Sequence, residues 1–325
     1  MSKTPRIIVL VLAFGLIAAA CGTSDDAGQE TSTTTAPTTT TTEAPTTTTT
    51  EAMEEMLPEL SLDVTGFPEL ADGVHYENWA IIDGEPVPAG KYNVIDGAIV
   101  DLDGAAVSAW PLAGLDTATT IIVTIEPAGD NDTVPSDTHF VAGDVADGST
   151  TLSIAHPAAL GTDFADAAGT FVLATPTNGD NSNELSGIWF LALPGPTPSL
   201  ELPQLPAGWN YEGWAVIDGV PVTSGTFLDV AAADDSAPYS GPEPGPAFPG
   251  EDYLVNAPDG VTFPTDLSGA TIVISVEPDP DDSLVPFALK PLLGQAADPG
   301  DDHVSYELGN NAVDLPAGTA TIGMG

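Results

Sequence analysis

Residues 76–90 read Tyr-Glu-Asn-Trp-Ala-Ile-Ile-Asp-Gly-Glu-Pro-Val-Pro-Ala-Gly, and residues 211–225 read Tyr-Glu-Gly-Trp-Ala-Val-Ile-Asp-Gly-Val-Pro-Val-Thr-Ser-Gly. Each is an apolar stretch closed by Asp-Gly, the pair best suited to a two-residue hairpin turn. The two lie 135 residues apart without a gap, and Pro68, Leu70 and Gly73 extend the match to Pro203, Leu205 and Gly208. A second block, Thr-Ile-Ile-Val-Thr-Ile-Glu-Pro at 120–127, returns 151 residues later as Thr-Ile-Val-Ile-Ser-Val-Glu-Pro at 271–278, and Val134-Pro135 returns as Val285-Pro286. Gly169-Thr170 and Gly318-Thr319 correspond at an offset of 149. Preserved order and spacing make this a tandem duplication, with a joint near residues 194–199 (Pro-Gly-Pro-Thr-Pro-Ser). The extra 16 residues of the second copy (151 minus 135) fall in a Gly/Pro-rich loop around 236–252.

Within each copy the period is that of strands. In the 120–127 block Ile121, Val123 and Ile125 face one way, and Ile122, Thr124 and Glu126 the other. Further strands are predicted at 91–95, 98–102, 138–142, 150–155, 169–174 and 187–193, with turn residues between them. The 33 Gly and 31 Pro interrupt the chain too often for a long helix. The expected fold class is all-β: two tandem β-sandwich-like domains, over 57–195 and 199–325, following a disordered Thr-rich stalk.

Composition narrows the function. The 325 residues carry 48 Asp+Glu against 4 Lys+Arg, a formal charge of -44. Such a surface repels phosphate backbones, so no nucleic-acid partner is expected. With 42% hydrophobic residues and a mean hydropathy of +0.11 the chain can still fill cores. One cysteine excludes a disulfide scaffold.

That cysteine sits at an address. Lys3 and Arg6 precede an apolar run over 7–20, and Ala18-Ala19-Ala20 leads into Cys21. Fourteen residues at 1.5 Å each span about 21 Å, less than the ~30 Å of a hydrocarbon core, so a cleaved export signal is expected rather than a membrane span. Ala18-Ala19-Ala20-Cys21 resembles a bacterial lipobox, with Ala18 where Leu is usual. The resemblance implies a signal peptide over 1–21, lipidation of Cys21 and an extracytoplasmic protein anchored to the bacterial cell membrane. Loss of Lys3 and Arg6 would leave 2 Lys against 48 acids, a charge of -46. Residues 22–56, almost entirely Thr from 31 to 50, read as a Thr/Pro/Glu-rich tether that reaches about 100 Å if extended.

The run Trp79, Asp83-Gly84, Pro86 and Gly90, then Glu126-Pro127-Ala128-Gly129 and Val134-Pro135, resembles the extracytoplasmic C-terminal domain of anti-sigma-K factors of the RskA type. The second copy departs at Glu277-Pro278-Asp279-Pro280, which lacks the glycine. The resemblance implies a sensor or recognition domain with no catalytic role. If everything after Cys21 is exported, sigma-factor binding is not expected, and what carries over is the sensory half alone.

Trp79 and Trp214 are expected in a core, on the strand face shared with Ile81 or Val216. Asp83-Gly84 and Asp218-Gly219 are turn residues. Glu126-Pro127 and Glu277-Pro278 recur, with the glutamates expected as solvated groups or turn acceptors; Glu77 and Glu212 read the same way. Clusters at Asp101/Asp103, Asp130/Asp132, Asp279/Asp281/Asp282 and Asp298/Asp301/Asp302 offer oxygen to Ca²⁺, but none fits an EF-hand and turn chemistry accounts for them first. No metal site and no cofactor is therefore expected. His75, His139, His156 and His303 do not recur and read as turn or surface residues. No nucleophile elbow, zincin motif or phosphate loop is present, so no enzyme is expected. The resulting expectation is a lipid-anchored binding or sensor-like module with an unidentified protein or envelope partner. The alternatives are an envelope spacer or adhesin, or a cryptic hydrolase.

Overall fold

The structure is a computed structural model that describes residues 56–280 and 283–325. The signal segment, Cys21, residues 22–55 of the tether, Asp281 and Asp282 lie outside the described residues. Among those described, no helix is long and apolar enough to cross a membrane. Apart from one 3-10 turn at Leu115–Thr117, the regular elements are strands, as the Gly and Pro spacing requires.

The first copy forms β1 (Pro58–Thr65), β2 (His75–Ile82), β3 (Glu85–Ile95), β4 (Ala98–Val100), β5 (Trp110–Pro111), β6 (Thr120–Glu126), β7 (His139–Asp144), β8 (Ser149–Ser153) and β9 (Ala168–Leu173). Short strands β10 (Ile188–Trp189), β11 (Leu191–Ala192) and β12 (Thr197–Pro198) bring the chain past the joint. The second copy supplies β13 (Leu200–Glu201), β14 (Trp209–Ile217), β15 (Val220–Phe227), β16 (Gly250–Glu251), β17 (Thr271–Pro278), β18 (Leu292–Gln295), β19 (Ser305–Asn310) and β20 (Ala317–Met324). The β2–β3 and β14–β15 turns use the expected pairs: Asp83 and Gly84 have φ of 53° and 85°, and Asp218 and Gly219 have 51° and 86°. Asp tolerates this left-handed region better than most residues, and glycine enters it without strain.

The joint between the copies is not the boundary between the sheets. One sheet has the order β4-β3-β2-β6-β7-β8-β20-β1-β5, so the last strand of the second copy lies inside the sheet of the first. The other runs β15-β14-β17-β18-β19-β9-β10-β16, with β13 also on β9. The two exchanged strands are the repeat equivalents carrying Gly169-Thr170 and Gly318-Thr319, so the exchange is reciprocal. β20 pairs with β1 over eight residues, Pro58 opposite Met324 through Thr65 opposite Ala317, and with β8 on its other side. β9 likewise sits between β19 and β13. The shared glycine has a packing reason. A Cβ at Gly169 would lie 2.7 Å from Leu200 Cδ2, and one at Gly318 would lie 2.7 Å from the Asp63 carbonyl oxygen.

Each sheet curls back on itself, and this gives the sandwich-like closure. In the first, Trp110 of β5 covers Gly90 of β3, where a Cβ would fall 2.3 Å from the indole, and it meets Tyr92 with ring centroids 5.3 Å apart. In the second, Asp234 covers the equivalent Gly225. Inside, Tyr76 donates to the Pro68 carbonyl at 2.8 Å and Tyr211 to that of Pro203 at 2.7 Å, fixing the entry into β2 and β14. One apolar core serves both sheets. It crosses between them through Phe140, whose ring lies 6.1 Å from Trp209 and 5.8 Å from Phe287.

A body closed by exchanged strands should survive a cut at the joint. Gly195 sits in an exposed turn with open space around it, so a protease site can be inserted there. After cleavage the two fragments are expected to co-elute as one complex until denaturant unfolds both sheets. Two fragments that separate as folded monomers would contradict the exchange.

Candidate functional site

The residues that carry the repeated motif gather on one face of β2 and β6, outside the main core. Strand alternation places His75, Glu77 and Trp79 on this face, opposite Glu126, Thr124 and Ile122 of β6. Trp79 is fully buried against Ile122, Ala142 and Ala159 in a small second apolar cluster. Its indole donates to Thr124 Oγ1 at 2.8 Å, and that hydroxyl donates in turn to Glu126 Oε1. The same Glu126 oxygen accepts the Ser136 N–H at 3.0 Å. The second copy repeats the arrangement: Trp214 Nε1 donates to Ser275 Oγ at 2.8 Å, and the Glu277 carboxylate accepts the Phe287 N–H at 2.9 Å. Ser136 and Phe287 are equivalent at the 151-residue offset. Of the two roles open to these glutamates, the structure shows the buried turn acceptor. Each ties the far end of the hairpin that begins at Glu-Pro.

Glu77 and Glu212 are also buried rather than solvated. Around Glu77 the first copy has assembled four ionisable groups. Lys91, its cross-strand partner on β3, places Nζ 3.3 Å from Glu77 Oε2 and 2.8 Å from Asp130 Oδ2 in the β6–β7 hairpin. The ammonium also donates to the Asp130 carbonyl at 2.9 Å. The Lys91 hydrogen bond holds the Asp130 carboxyl below its ordinary value. Burial lifts the Glu77 carboxyl from 4.5 to about 7, against the attraction of Lys91. Burial works to depress the Lys91 ammonium, but its bonds to Asp130 and Glu77 outweigh that and hold it above 10.5. His75 completes the group. It is 2% exposed, which corrects the expected turn or surface role. Nδ1 lies 3.2 Å from the Gly73 carbonyl, and Nε2 is buried without a hydrogen-bond partner. The second copy has Asn210 and Thr226 where the first has His75 and Lys91, so this cluster is not duplicated. The only sequence sign of it was the position of Lys91, one of two lysines after Cys21, opposite Glu77 in the β2–β3 hairpin.

The other histidines and acidic clusters do not join this site. His139 Nδ1 meets the Ala158 carbonyl at 2.8 Å, and His303 pairs with Asp302 at 2.8 Å on the surface. Asp101 accepts the N–H groups of Asp103 and Ala105, and Asp132 that of Val134, which is turn chemistry. The extra loop of the second copy and the residues just before it carry further acids, Asp252 buried and Asp234 half-buried. Asp252 accepts the Thr177 N–H and the Trp189 indole N–H, both at 2.7 Å, and Asp234 accepts the Gly250 N–H at 2.8 Å. Burial lifts the Asp234 carboxyl to about 7.

With the hairpin and its anchor in place, the comparison with known families can be read on the structure. Residues 8–139 match the family model described as anti-sigma-K factor rskA, C-terminal. The RskA-type likeness is therefore shown from the apolar N-terminal run to the start of β7. Within the matched stretch, Trp79, Asp83-Gly84 and Glu126-Pro127 are a buried anchor, a hairpin turn and a hairpin tie. No curated protein and no solved structure matches the chain.

Removing the Glu126 carboxylate by Glu126→Ala orphans a buried N–H, which costs about 1–3 kcal/mol. A fall of several degrees in Tm is expected, and Glu126→Gln, which keeps an acceptor, should recover part of it. The raised carboxyls set a pH window. Glu77 and Asp234 hold protons in the fold that the unfolded chain gives up near its ordinary carboxyl values, so their stabilisation is fully present below about pH 4 and lost as pH rises through 7. Tm should fall between pH 4.5 and 7.5 in thermal melts, and the double variant Glu77→Gln, Asp234→Asn should flatten the slope. The lowered Asp130 and Asp302 act only beneath this window.

Proposed function

We propose that the chain is a lipid-anchored, extracytoplasmic binding or sensor-like module, equivalent to the sensory half of an anti-sigma-K factor and held above the membrane by its Thr-rich tether. The observation that carries this reading is the double display of one loop from a single interlocked body. The hairpin after Glu126 exposes Val134, at 66%, and its equivalent after Glu277 exposes Leu284 and Val285, at 85% and 56%. Both loops start from buried, tied glutamates, and Phe140 and Phe287 at their bases are in contact. Apolar tips on acid-rich loops suit a partner with basic and apolar groups, either a protein or an envelope component. Two adjacent copies of a loop raise effective concentration for a partner that can touch both. Lipidation of Cys21 and binding at these loops are what support for this function must establish.

Photocrosslinking residues placed at Val134 and Val285 in the full chain on intact cells should each capture the same discrete partner, and Cys21→Ser should release the protein from membranes. A ladder of unrelated adducts equal to that from exposed Leu102 would favour a spacer over a binding module.

A further inference from the structure

We propose that His75, Glu77 and Asp130 form a binding site for a divalent transition-metal ion, with Zn²⁺ the best match, in which the metal takes the place now held by the Lys91 ammonium. This goes beyond the binding-module reading and does not depend on it. A ligand atom from each of the three residues lies within 4.8 Å of the others. The sharper observation is the histidine. A carbonyl oxygen can only accept, so the Gly73 carbonyl at 3.2 Å fixes the proton of a neutral His75 on Nδ1. The lone pair is then on Nε2, and that atom is buried with no hydrogen-bond partner. A buried imidazole nitrogen without a proton or a donor is costly unless something binds it, and a backbone carbonyl on the other nitrogen is the usual orienting contact of a metal-ligating histidine. Glu77 Oε2 is a second buried polar atom of the cluster, met by the Lys91 ammonium at 3.3 Å.

The donors are one nitrogen and two carboxylates, ligand types that Zn²⁺ accepts at about 2.0–2.2 Å, and three protein ligands leave a fourth position for water. His75 and Glu77 share one face of β2, and Asp130 comes from the loop between β6 and β7. Lys91 is on the solvent side, with a quarter of its side chain exposed, so its ammonium can swing out as a dication enters between two carboxylates. The second copy acts as an internal comparison, because Asn210 and Thr226 remove the histidine and the competing lysine together.

The test is Zn²⁺ titration of the full chain, stripped with chelator and held in detergent at high salt to suppress loose binding to the acidic surface. One saturable Zn²⁺ per chain is expected. His75→Asn, which installs the residue of the second copy, should weaken it more than ~30-fold, beyond the 10–100-fold range's lower end seen even for outer-shell changes. Lys91→Met should tighten it about 10-fold by removing the competing cation. Zn²⁺ should also raise the Tm of the parent chain and leave that of His75→Asn unmoved, provided the variant's own circular dichroism and melt show that it folds. Uptake by His75→Asn equal to the parent's, or no saturable uptake by the parent, would overturn the site and leave Lys91 as the permanent occupant. If Lys91→Met does not fold, the His75→Asn comparison decides the matter alone.

Discussion

The exchange of β9 and β20 is the constraint on which the rest of the structure depends. Neither copy can complete its own sheet, because the strand that belongs between β8 and β1 comes from the end of the chain, and the one between β19 and β13 comes from the middle. The pairing that seals the first sheet is also the one that joins the two ends of the described chain, β1 against β20. β1, the first strand of the described chain, is therefore held on one side by β20, its last. The common core follows from the same exchange, since sheets that trade strands are brought close enough for Phe140 to pack against Trp209 and Phe287.

A chain with so few cations must accommodate its acids in other ways. Those at turn positions accept backbone N–H groups locally. Those inside the fold do the same over longer distances: Glu126 and Glu277 tie hairpins, and Asp252 and Asp234 anchor the extra loop. A buried carboxylate that accepts backbone donors replaces the hydrogen bonds it had with water, which is the condition for burying it at tolerable cost. Lys91 meets the same need with charge, beside Glu77 and Asp130.

Duplication and divergence can be read side by side. Both copies keep the Trp-to-hydroxyl bond and the glutamate that ties the hairpin. They differ in what surrounds it: the first has His75 and Lys91, and the second an extra loop over 236–252 preceded by Asp234, which covers Gly225. The likeness to the anti-sigma-K C-terminal domain includes the first copy's version of this shared part, where the roles are structural.

The strands and turns were legible in the sequence because their causes are local. Asp83-Gly84 and Asp218-Gly219 can meet the positive φ of a two-residue turn, and the period of two in residues 120–127 and 271–278 permits little but a strand. The duplication was legible for the same reason, as matched local patterns in a fixed order. Which sheet a repeated strand would join was not legible: β9 and β20 share the same Ala-Gly-Thr start, and the pairing each makes is set by the tertiary path of the chain. The burial of Glu126 and the gathering of His75, Glu77, Lys91 and Asp130 from three separate segments were likewise decided by tertiary structure, because a side chain's solvent and partners are set by what the fold lays over it.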